Sequence, residues 1–412
     1  MSREAMPTSP MPSKETASVF DSDVLITGAG VVGLTLACAL EGLGLRCTLV
    51  DARPHGAAKA DARVLALAYG SQLCLAQLGV WAGLTHTPIT SVHVSEQGGL
   101  GRTLLQAQDY DQAALGYVAN AGALAEALLA RLADAAYLSL LPETTLAQPR
   151  ADAEGVTVSF SGAHAGTHRT RLLVCAEGAV ASAGEAAIRQ RTYGQCALIS
   201  EVRGKGAVPG RAFERFTPQG PLALLPWEQG SLPAVPGEQR YAVVHVDSPA
   251  AAEKWQQLPE TDYLALLQQK LGGRLCLSAG TERLRYPLDL RYRTSPVGQR
   301  TVWLGNAAQT LHPVAGQGFN LALRDVWTLA QHIQASDMET LGSPAQLQAY
   351  AQARQLDRRG VIELTDGLVR LFSNADPLCR AIRGPALMAL DLVPPLRHFL
   401  ARRLMFGARA WP

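Results

Sequence analysis

A glycine-rich turn near the start of the chain has the residue types and spacing that bind a dinucleotide. A short β-rich run leads into Gly28, Gly30 and Gly33, and an apolar helical segment follows them. The first glycine permits a tight turn, the second lets the backbone approach a pyrophosphate, and the third lets helix and strand pack closely. The pyrophosphate would lie on the helix N-terminus, where unpaired N–H groups favour an anion. After a second predicted strand, Asp51 can accept hydrogen bonds from ribose hydroxyls.

The same segment has a second interpretation, in which a buried helix or a membrane span carries incidental glycines. Its apolar stretch, residues 24–40, nearly reaches the length that spans a bilayer. The strand before the glycines, the helix after them and the acidic residue at the expected distance favour nucleotide binding. The motif alone does not separate FAD from NAD.

A second set of small and polar residues follows a β-rich strand at residues 301–304. Small residues at the start of a helix imply close approach of the backbone to a ligand, and the N–H groups there can stabilise negative charge. Asn306 can hydrogen-bond a ligand or cap a helix, and the two roles are compatible. The candidate site residues of this segment are Asn306, His312, Pro313, Gly316, Gln317, Gly318 and Asn320.

These segments resemble the class A flavoprotein monooxygenases, the group that includes 4-hydroxybenzoate hydroxylase. The run GNAAQTLHP at residues 305–313 is most similar to the ubiquinone-biosynthesis hydroxylases, and within them to the 2-polyprenyl-6-methoxyphenol hydroxylase branch. Most members of the family begin this run with Gly-Asp-Ala-Ala-His. Further matching segments lie at residues 61–67, 193–197, 213–221, 371–374 and 391–397. The resemblance therefore covers nearly everything after the N-terminal tail.

The resemblance implies FAD as the cofactor and assigns roles to individual residues. Arg63 would lie near the flavin. His312 would line the pocket beside the flavin ring, and Pro313 would offer its backbone carbonyl to the substrate hydroxyl; the alternative is a loop histidine that only shapes the turn. In the middle motif, usually Gly-Ala-Asp-Gly, Cys175 replaces a glycine and Glu177 replaces the aspartate. Glu177 keeps the carboxylate, so we expect FAD binding to survive, while the kinetics of flavin reduction stay open.

The function implied by the resemblance is FAD-dependent hydroxylation of the aromatic ring of a polyprenylated phenol, of the 2-polyprenyl-6-methoxyphenol type, in ubiquinone biosynthesis. Such a monooxygenase uses O₂ together with NAD(P)H or another electron donor. One alternative is a hydroxylase of another ring position or of a soluble phenol. The other is a non-catalytic, flavin-binding scaffold of a quinone-synthesis complex, which the substitutions at Glu177 and Asn306 keep open.

The helices and strands expected around these residues indicate an α/β fold. We expect a Rossmann-like FAD-binding domain, a β-rich substrate domain and a helical C-terminal region, and the resemblance implies the arrangement of 4-hydroxybenzoate hydroxylase. The FAD-binding domain is discontinuous. The predicted units are a disordered tail at 1–20, the FAD-binding domain at 21–80, 110–185 and 285–340, the substrate domain at 81–109 and 190–284, and the helical region at 345–412.

Composition argues against several other kinds of site. The formal net charge is +2 and the basic residues are scattered, so nucleic acid is not an expected partner. The seven cysteines are widely spaced without a C-x-x-C pair, which argues against a disulfide framework and a zinc site, and we predict no bound metal. Because the first 20 residues lack the apolar run of a signal peptide, we predict a cytoplasmic location.

The expected partner is a lipophilic phenol substrate. Because such a substrate dissolves in lipid, the protein could bind to a membrane surface. The run at residues 396–406 is apolar with interspersed arginines. It would either lie on the inner membrane beside a lipid substrate or pack as a helix on its own domain, and the pattern favours the second. Peripheral membrane contact and association with a quinone-biosynthesis complex are therefore kept as alternatives.

Overall fold

The computed structural model describes residues 19–99, 101–178, 187–373 and 377–408. Of the predicted N-terminal tail, residues 1–18 lie outside the described residues, as do residues 179–185 of the predicted FAD-binding segments and Asn374 of the matching segments. Within the described ranges the chain forms three β-sheets, which α-helices cover.

The first half of the chain contains the strands β1 (Ser22–Thr27), β2 (Cys47–Val50), β3 (Val64–Ala68), β4 (His86–Ile89), β5 (Ser91–Glu96), β6 (Arg102–Gln106), β7 (Gly116–Asn120), β8 (Leu138–Leu141), β9 (Thr144–Ala151), β10 (Val156–Gly162), β11 (Gly166–Cys175) and β12 (Ile188–Lys205). The second half contains β13 (Arg211–Phe216), β14 (Pro221–Pro226), β15 (Gln239–Asp247), β16 (Cys276–Gly280), β17 (Leu284–Arg293), β18 (Val297–Gly298), β19 (Thr301–Trp303) and β20 (Gln309–Thr310).

The α-helices are α1 (Val31–Leu40), α2 (Tyr69–Gln77), α3 (Ala121–Arg131), α4 (Pro249–Gln257), α5 (Glu260–Leu271), α6 (Gln317–Gln334), α7 (Pro344–Phe372), α8 (Pro377–Leu392) and α9 (Pro394–Phe406). Proline is well suited to the first helical position because its missing N–H would have no partner there. The helices α7 and α9 begin in this way. None of the described helices is both long enough and apolar enough to cross a bilayer.

The first sheet, called the parallel sheet, has the strand order β19-β11-β1-β2-β8, and each neighbouring pair is parallel. Every residue of β1 is buried, as expected for a parallel strand that is covered on both faces. Leu34 of α1, Leu124 of α3 and Leu323 of α6 belong to the same hydrophobic core as Val24 and Ile26 of β1. The strands β10 and β9 extend this sheet in antiparallel fashion from β11.

The second sheet, called the large sheet, has the order β20-β17-β12-β15-β14-β13-β5-β6, with β16 beside β12. Its pairs are antiparallel except for β13 and β5. One face packs on α4 and α5, where Tyr263 and Leu267 share a core with Val243. The small sheet, β3-β7-β4, completes the set.

One predicted boundary differs from the observed pairing. The boundary at residue 285 assigns β17 to the FAD-binding segments, but β17 pairs with β12 of the large sheet from Arg293 opposite Ile188 to Leu284 opposite Ile199. Residue pattern alone does not choose the sheet, because an alternating strand can pair with any edge that offers a matching register. The remaining division into domains stays a prediction.

Candidate active site

The predicted cofactor-binding residues follow four neighbouring strands of the parallel sheet. Gly28 follows β1, Asp51 follows β2, Glu177 lies just after β11, and Asn306 lies just after β19. Because β19, β11, β1 and β2 are adjacent and parallel, their carboxyl ends lie at one edge of the sheet. Ligands of open α/β sheets bind in the crevice outside this edge.

Each glycine of the first turn is needed for a different physical reason. Gly28 has a φ of 95°, and a Cβ there would lie 2.8 Å from the carbonyl oxygen of Ala176. A Cβ on Gly33 would lie 2.0 Å from the carbonyl oxygen of Gly28, so helix α1 packs too closely on the turn for any side chain. A Cβ on Gly30, the N-cap of α1, would meet no atom within 4 Å. Gly28 and Gly33 are thus required by the fold, whereas Gly30 leaves the helix N-terminus open.

Asp51 is held in place by two neighbours. Its Oδ2 accepts a hydrogen bond of 2.7 Å from the backbone N–H of Ala29, and Arg53 Nε donates to its Oδ1 at 3.0 Å. Burial acts to raise the pKa of Asp51, but hydrogen bonds from the Arg53 side chain and from the backbones of Arg53 and Ala29 lower it below the ordinary value. Asp51 is therefore an ionised acceptor beside the turn.

The middle and third motifs contact the first one. Glu177 is exposed, and its backbone nitrogen lies 3.0 Å from where a Cβ of Gly28 would be. Gly305 abuts the first turn of α1, since a Cβ on it would lie 3.0 Å from Cγ2 of Val32. Asn306 is exposed on the 3-10 turn that starts at Gly305. Leu304, not Asn306, is the N-cap of that turn, so the capping interpretation of Asn306 is wrong.

The predicted loop ends in two consecutive residues with left-handed backbone, Ala315 and Gly316, whose φ angles are 58° and 60°. Helix α6 then starts at Gln317, which is buried. The Nε2 of Gln317 donates to the carbonyl oxygens of Ala315 and Leu404 at 3.3 Å each, while its Oε1 has no hydrogen-bond partner among the described residues. Gly318 is exposed, and a Cβ there would meet no atom within 4 Å. The N-terminus of α6 is thus open like that of α1.

Asn320 uses its whole hydrogen-bonding capacity inside the protein. Its Oδ1 accepts from the backbone N–H of Ala68 and the hydroxyl of Ser71, both at 2.7 Å. Its Nδ2 donates to the carbonyl oxygens of Ala66 at 2.8 Å and Gly316 at 2.7 Å. An amide side chain offers two donors and two acceptor lone pairs, so Asn320 is saturated. It joins the start of α6 to β3 and α2, which is a positioning role, and its predicted part in binding the cofactor stays a prediction.

His312 is buried at the inner end of the loop. Its Nδ1 accepts a hydrogen bond of 3.2 Å from the backbone N–H of Val314, which places the ring proton on Nε2. That nitrogen has no hydrogen-bond partner among the described residues. Burial lowers the pKa of His312 to about 4. His312 therefore shapes the turn and also carries a neutral N–H donor, and its predicted place beside the flavin ring stays a prediction.

A tyrosine packs on His312 and is itself held by a carboxylate, although the sequence did not single out either residue as a site residue. The ring of Tyr193 lies edge-on to His312, with 5.6 Å between the ring centroids. The hydroxyl of Tyr193 donates to Oδ1 of Asp366 at 3.0 Å, and Arg191 donates to Oδ2 of the same carboxylate. Burial, together with Asp366, raises the pKa of Tyr193, so its hydroxyl stays protonated. The carbonyl oxygen of Pro313 accepts the Gly316 N–H at 2.9 Å, and its role toward a substrate stays a prediction.

Arg63 lies where the small sheet approaches the large sheet. Its Nε donates to Oδ1 of Asp61 at 2.9 Å. This hydrogen bond raises the pKa of Arg63, and Tyr286 of the large sheet adds a weaker electrostatic contribution. Arg63 thus lies near enough to Tyr286 of the large sheet for the two groups to interact electrostatically.

Comparison with known proteins decides the family. Residues 21–365 match the family model described as FAD binding domain. The chain is 34% identical over 402 residues to "Ubiquinone hydroxylase UbiL" of Rhodospirillum rubrum, a match that covers 95% of this chain and 91% of that protein. The chain belongs to the FAD-dependent ubiquinone-biosynthesis hydroxylase family. This confirms the predicted family, the FAD cofactor and the class of enzyme, a flavin-dependent aromatic hydroxylase.

Two further comparisons agree with this assignment. The chain of this FAD-dependent hydroxylase is 26% identical over 428 residues to human "Ubiquinone biosynthesis monooxygenase COQ6, mitochondrial", with 91% of each protein covered. The crystal structure of p-nitrophenol 4-monooxygenase PnpA from Pseudomonas putida superposes with a TM-score of 0.71 at 15% identity, covering 94% of this chain and 98% of that one. The second likeness concerns the fold alone and confirms the predicted fold class.

The residues of the hydroxylase fit FAD. The open N-termini of α1 and α6 present N–H groups to an anionic cofactor. A groove lies beside the carboxyl ends of β1, β2 and β8, and its lining includes Ala29, Asp51, Arg53, His55, Gly56 and Pro142. The space that a Cβ at Gly30 or Gly318 would fill is free of protein atoms, so the backbone can approach a ligand at both positions.

Proposed function

We propose that this hydroxylase acts on the aromatic ring of a polyprenylated phenol, of the 2-polyprenyl-6-methoxyphenol type, in ubiquinone biosynthesis. The observation that carries this proposal is the similarity to ubiquinone hydroxylases over nine-tenths of the chain. The buried loop around His312 supports it, because a ring hydroxylase needs a dry pocket beside the cofactor. NAD(P)H is the proposed reductant, and a separate electron donor is the alternative.

The chain's own residues would bind and orient the reactants. FAD, when bound and reduced by the electron donor, would activate O₂, of which one atom enters the ring and the other leaves as water. The N–H groups at the start of α6 would stabilise negative charge on the cofactor. The neutral Nε2–H of His312 can donate a hydrogen bond to the substrate, while Tyr193, whose hydroxyl donates to Asp366, packs on the ring of His312. The side chain of Asn320 would keep this helix start in register with β3.

The test uses purified protein loaded with FAD, with NADH or NADPH, O₂ and two phenols, 2-farnesyl-6-methoxyphenol and 2-methoxyphenol. We expect a hydroxylated product from the farnesylated phenol, with a kcat/KM at least tenfold above that for 2-methoxyphenol. Equal turnover of both would remove the lipid-substrate claim. Protein that is colourless and cannot be reconstituted with FAD would favour the non-catalytic scaffold instead.

We also propose a cytoplasmic protein that contacts the inner membrane peripherally, at the junction of α8 and α9. Leu392, Leu396 and Phe399 are exposed there, whereas Ala401 and Met405 on the other side of α9 are buried in the protein. Arg402 is exposed near the same surface. A helix packed on its own domain can therefore still present an apolar strip to a bilayer. Flotation with anionic vesicles should recover the wild type and lose Phe399→Asp; equal recovery would remove this proposal.

A further inference from the structure

The face of the large sheet opposite α4 and α5 carries a continuous row of side chains in register. Residues paired across neighbouring strands point to the same face of a sheet. We call this set the central row; along the strand order from β17 to β13 it consists of Leu284, Ile199, Val244, Ala223 and Glu214. Four strand spacings separate its ends, a span of about 19 Å.

The central row differs in burial from the rows beside it. On one side, Phe216 and Ala197 are buried, and Phe216 stacks on Phe372 of α7 at 3.8 Å between ring centroids. On the other side, Ala212 and Ala242 are buried in a core with Val118 of the small sheet. The residues of the central row keep partial or full exposure, whereas these four neighbours are buried. The surface along these five side chains is therefore only partly covered, and we call it the channel.

Glu214 is the ionisable group of this row. Its Oε1 is buried and has no hydrogen-bond partner among the described residues. Burial raises the pKa of Glu214 to about 7. On the next row, Glu96 forms an ion pair with Arg383 of α8, with 3.8 Å between Oε1 of Glu96 and Nη1 of Arg383. Glu214 has no comparable ion pair among the described residues. A carboxyl group without a partner costs stability, and such groups in a folded protein call for a functional explanation.

The two ends of the channel differ in chemistry. At the Glu214 end, Phe216 shares a hydrophobic core with Val314 of the loop that carries His312. At the other end, Leu284 and Tyr286 are exposed at the edge where Arg63 approaches. A molecule with one hydroxylated ring and one long apolar chain matches this polarity, because the ring would meet the polar end and each buried CH₂ of the chain gains about 0.8 kcal/mol.

We propose that the apolar tail of the substrate lies along the central row and that Glu214 accepts the hydrogen bond of the phenol hydroxyl. This inference rests on the proposed function, since it takes a prenylated phenol as the ligand. Glu214 is then a substrate-binding residue that orients the ring. The exposed edge at Leu284 is where the tail leaves the protein.

The test measures binding without turnover, by the change in the visible flavin spectrum of the FAD-loaded protein at pH 8. The probes are 2-farnesyl-6-methoxyphenol, its methyl ether and 2-methoxyphenol. A hydrogen bond to a carboxylate should make the wild type prefer the phenol over the ether by about tenfold. Glu214→Leu should reduce this ratio to about one, and the isosteric Glu214→Gln, which keeps an acceptor, should give an intermediate ratio.

A second variant tests whether the apolar tail of the substrate lies along the central row. Val244→Phe narrows the channel away from Glu214, so affinity for the farnesylated phenol should fall at least tenfold while affinity for 2-methoxyphenol stays within twofold. Glu253→Gln is the control, because Glu253 lies exposed on α4, on the opposite face of the large sheet. It should change neither affinity.

The outcomes separate this inference from the proposed function. If the wild type binds the farnesylated phenol and Glu214→Leu keeps the full preference over the ether, Glu214 is not the acceptor. If Val244→Phe affects the farnesylated phenol and 2-methoxyphenol alike, the tail does not follow the row. If the FAD-loaded wild type does not respond to the farnesylated phenol at all, the proposed substrate class is wrong and this inference is overturned with it.

Discussion

Replacement of Asn320 distinguishes a positioning residue from a cofactor ligand. The side chain makes four hydrogen bonds of 2.7 or 2.8 Å that tie the start of α6 to β3 and α2. A typical hydrogen bond contributes about 0.5–1.5 kcal/mol, so the sum is about 2–6 kcal/mol. Water in the space left by Asn320→Ala can satisfy part of the exposed groups. We therefore expect a loss of about 3 kcal/mol in the free energy of unfolding.

The assay compares urea unfolding of the FAD-free and FAD-loaded proteins. A ligand stabilises only the state that it binds. If Asn320 is a positioning residue, Asn320→Ala already loses about 3 kcal/mol of unfolding free energy without FAD, because the four bonds lie within the protein. Gln331→Ala, an exposed change on the same helix, should stay within about 0.5 kcal/mol of the wild type. A variant that is destabilised only in the FAD-loaded form would refute this reasoning and restore direct contact with the cofactor.

Two further predictions concern the first turn and the buried histidine. Gly33→Ala should cost the FAD-free protein more than about 3 kcal/mol through its clash with Gly28, whereas Gly30→Ala should weaken only FAD binding; urea unfolding and FAD titration separate these effects. Since burial lowers the pKa of His312 from 6.5 to about 4, the folded state holds fewer protons in that interval, and stability should fall by up to about 3 kcal/mol as pH drops from 6.5 to 4. His312→Asn should remove this loss, and parallel pH profiles of unfolding for both proteins would contradict it.

The parts of the site that could be predicted from sequence are those built from local chemistry. The roles of Gly28 and Gly33 depend on a turn of a few residues, and the structure shows the close contacts that such a turn imposes. The position of Asp51 beside the glycine turn could be predicted because, in this fold, the strand next to β1 ends beside that turn. Glu177 and Asn306 follow neighbouring strands in the same way.

The parts that could not be predicted depend on contacts between distant segments. Three of the four partners of Asn320 lie about 250 residues earlier in the chain, so its neighbours in sequence did not reveal that its side chain is saturated. Asp366 reaches Tyr193 from α7, and no local pattern links the two. Glu214 lies in a segment whose family likeness was recognised, but only the observed register shows that it faces the interior of the channel.

The ion pair between Asp51 and Arg53 has a consequence for how a nucleotide is taken up. The guanidinium of Arg53 is 52% exposed, so its bond to the carboxylate is worth little in water and can be exchanged cheaply for ribose hydroxyls. The N–H of Ala29 meanwhile keeps the same carboxylate aimed at the groove. The hydrogen bond from Ala29 thus fixes the orientation of the Asp51 carboxylate before a ligand binds. When a ribose binds, its hydroxyls can replace Arg53 as hydrogen-bond donors, and the Asp51 side chain does not have to rotate.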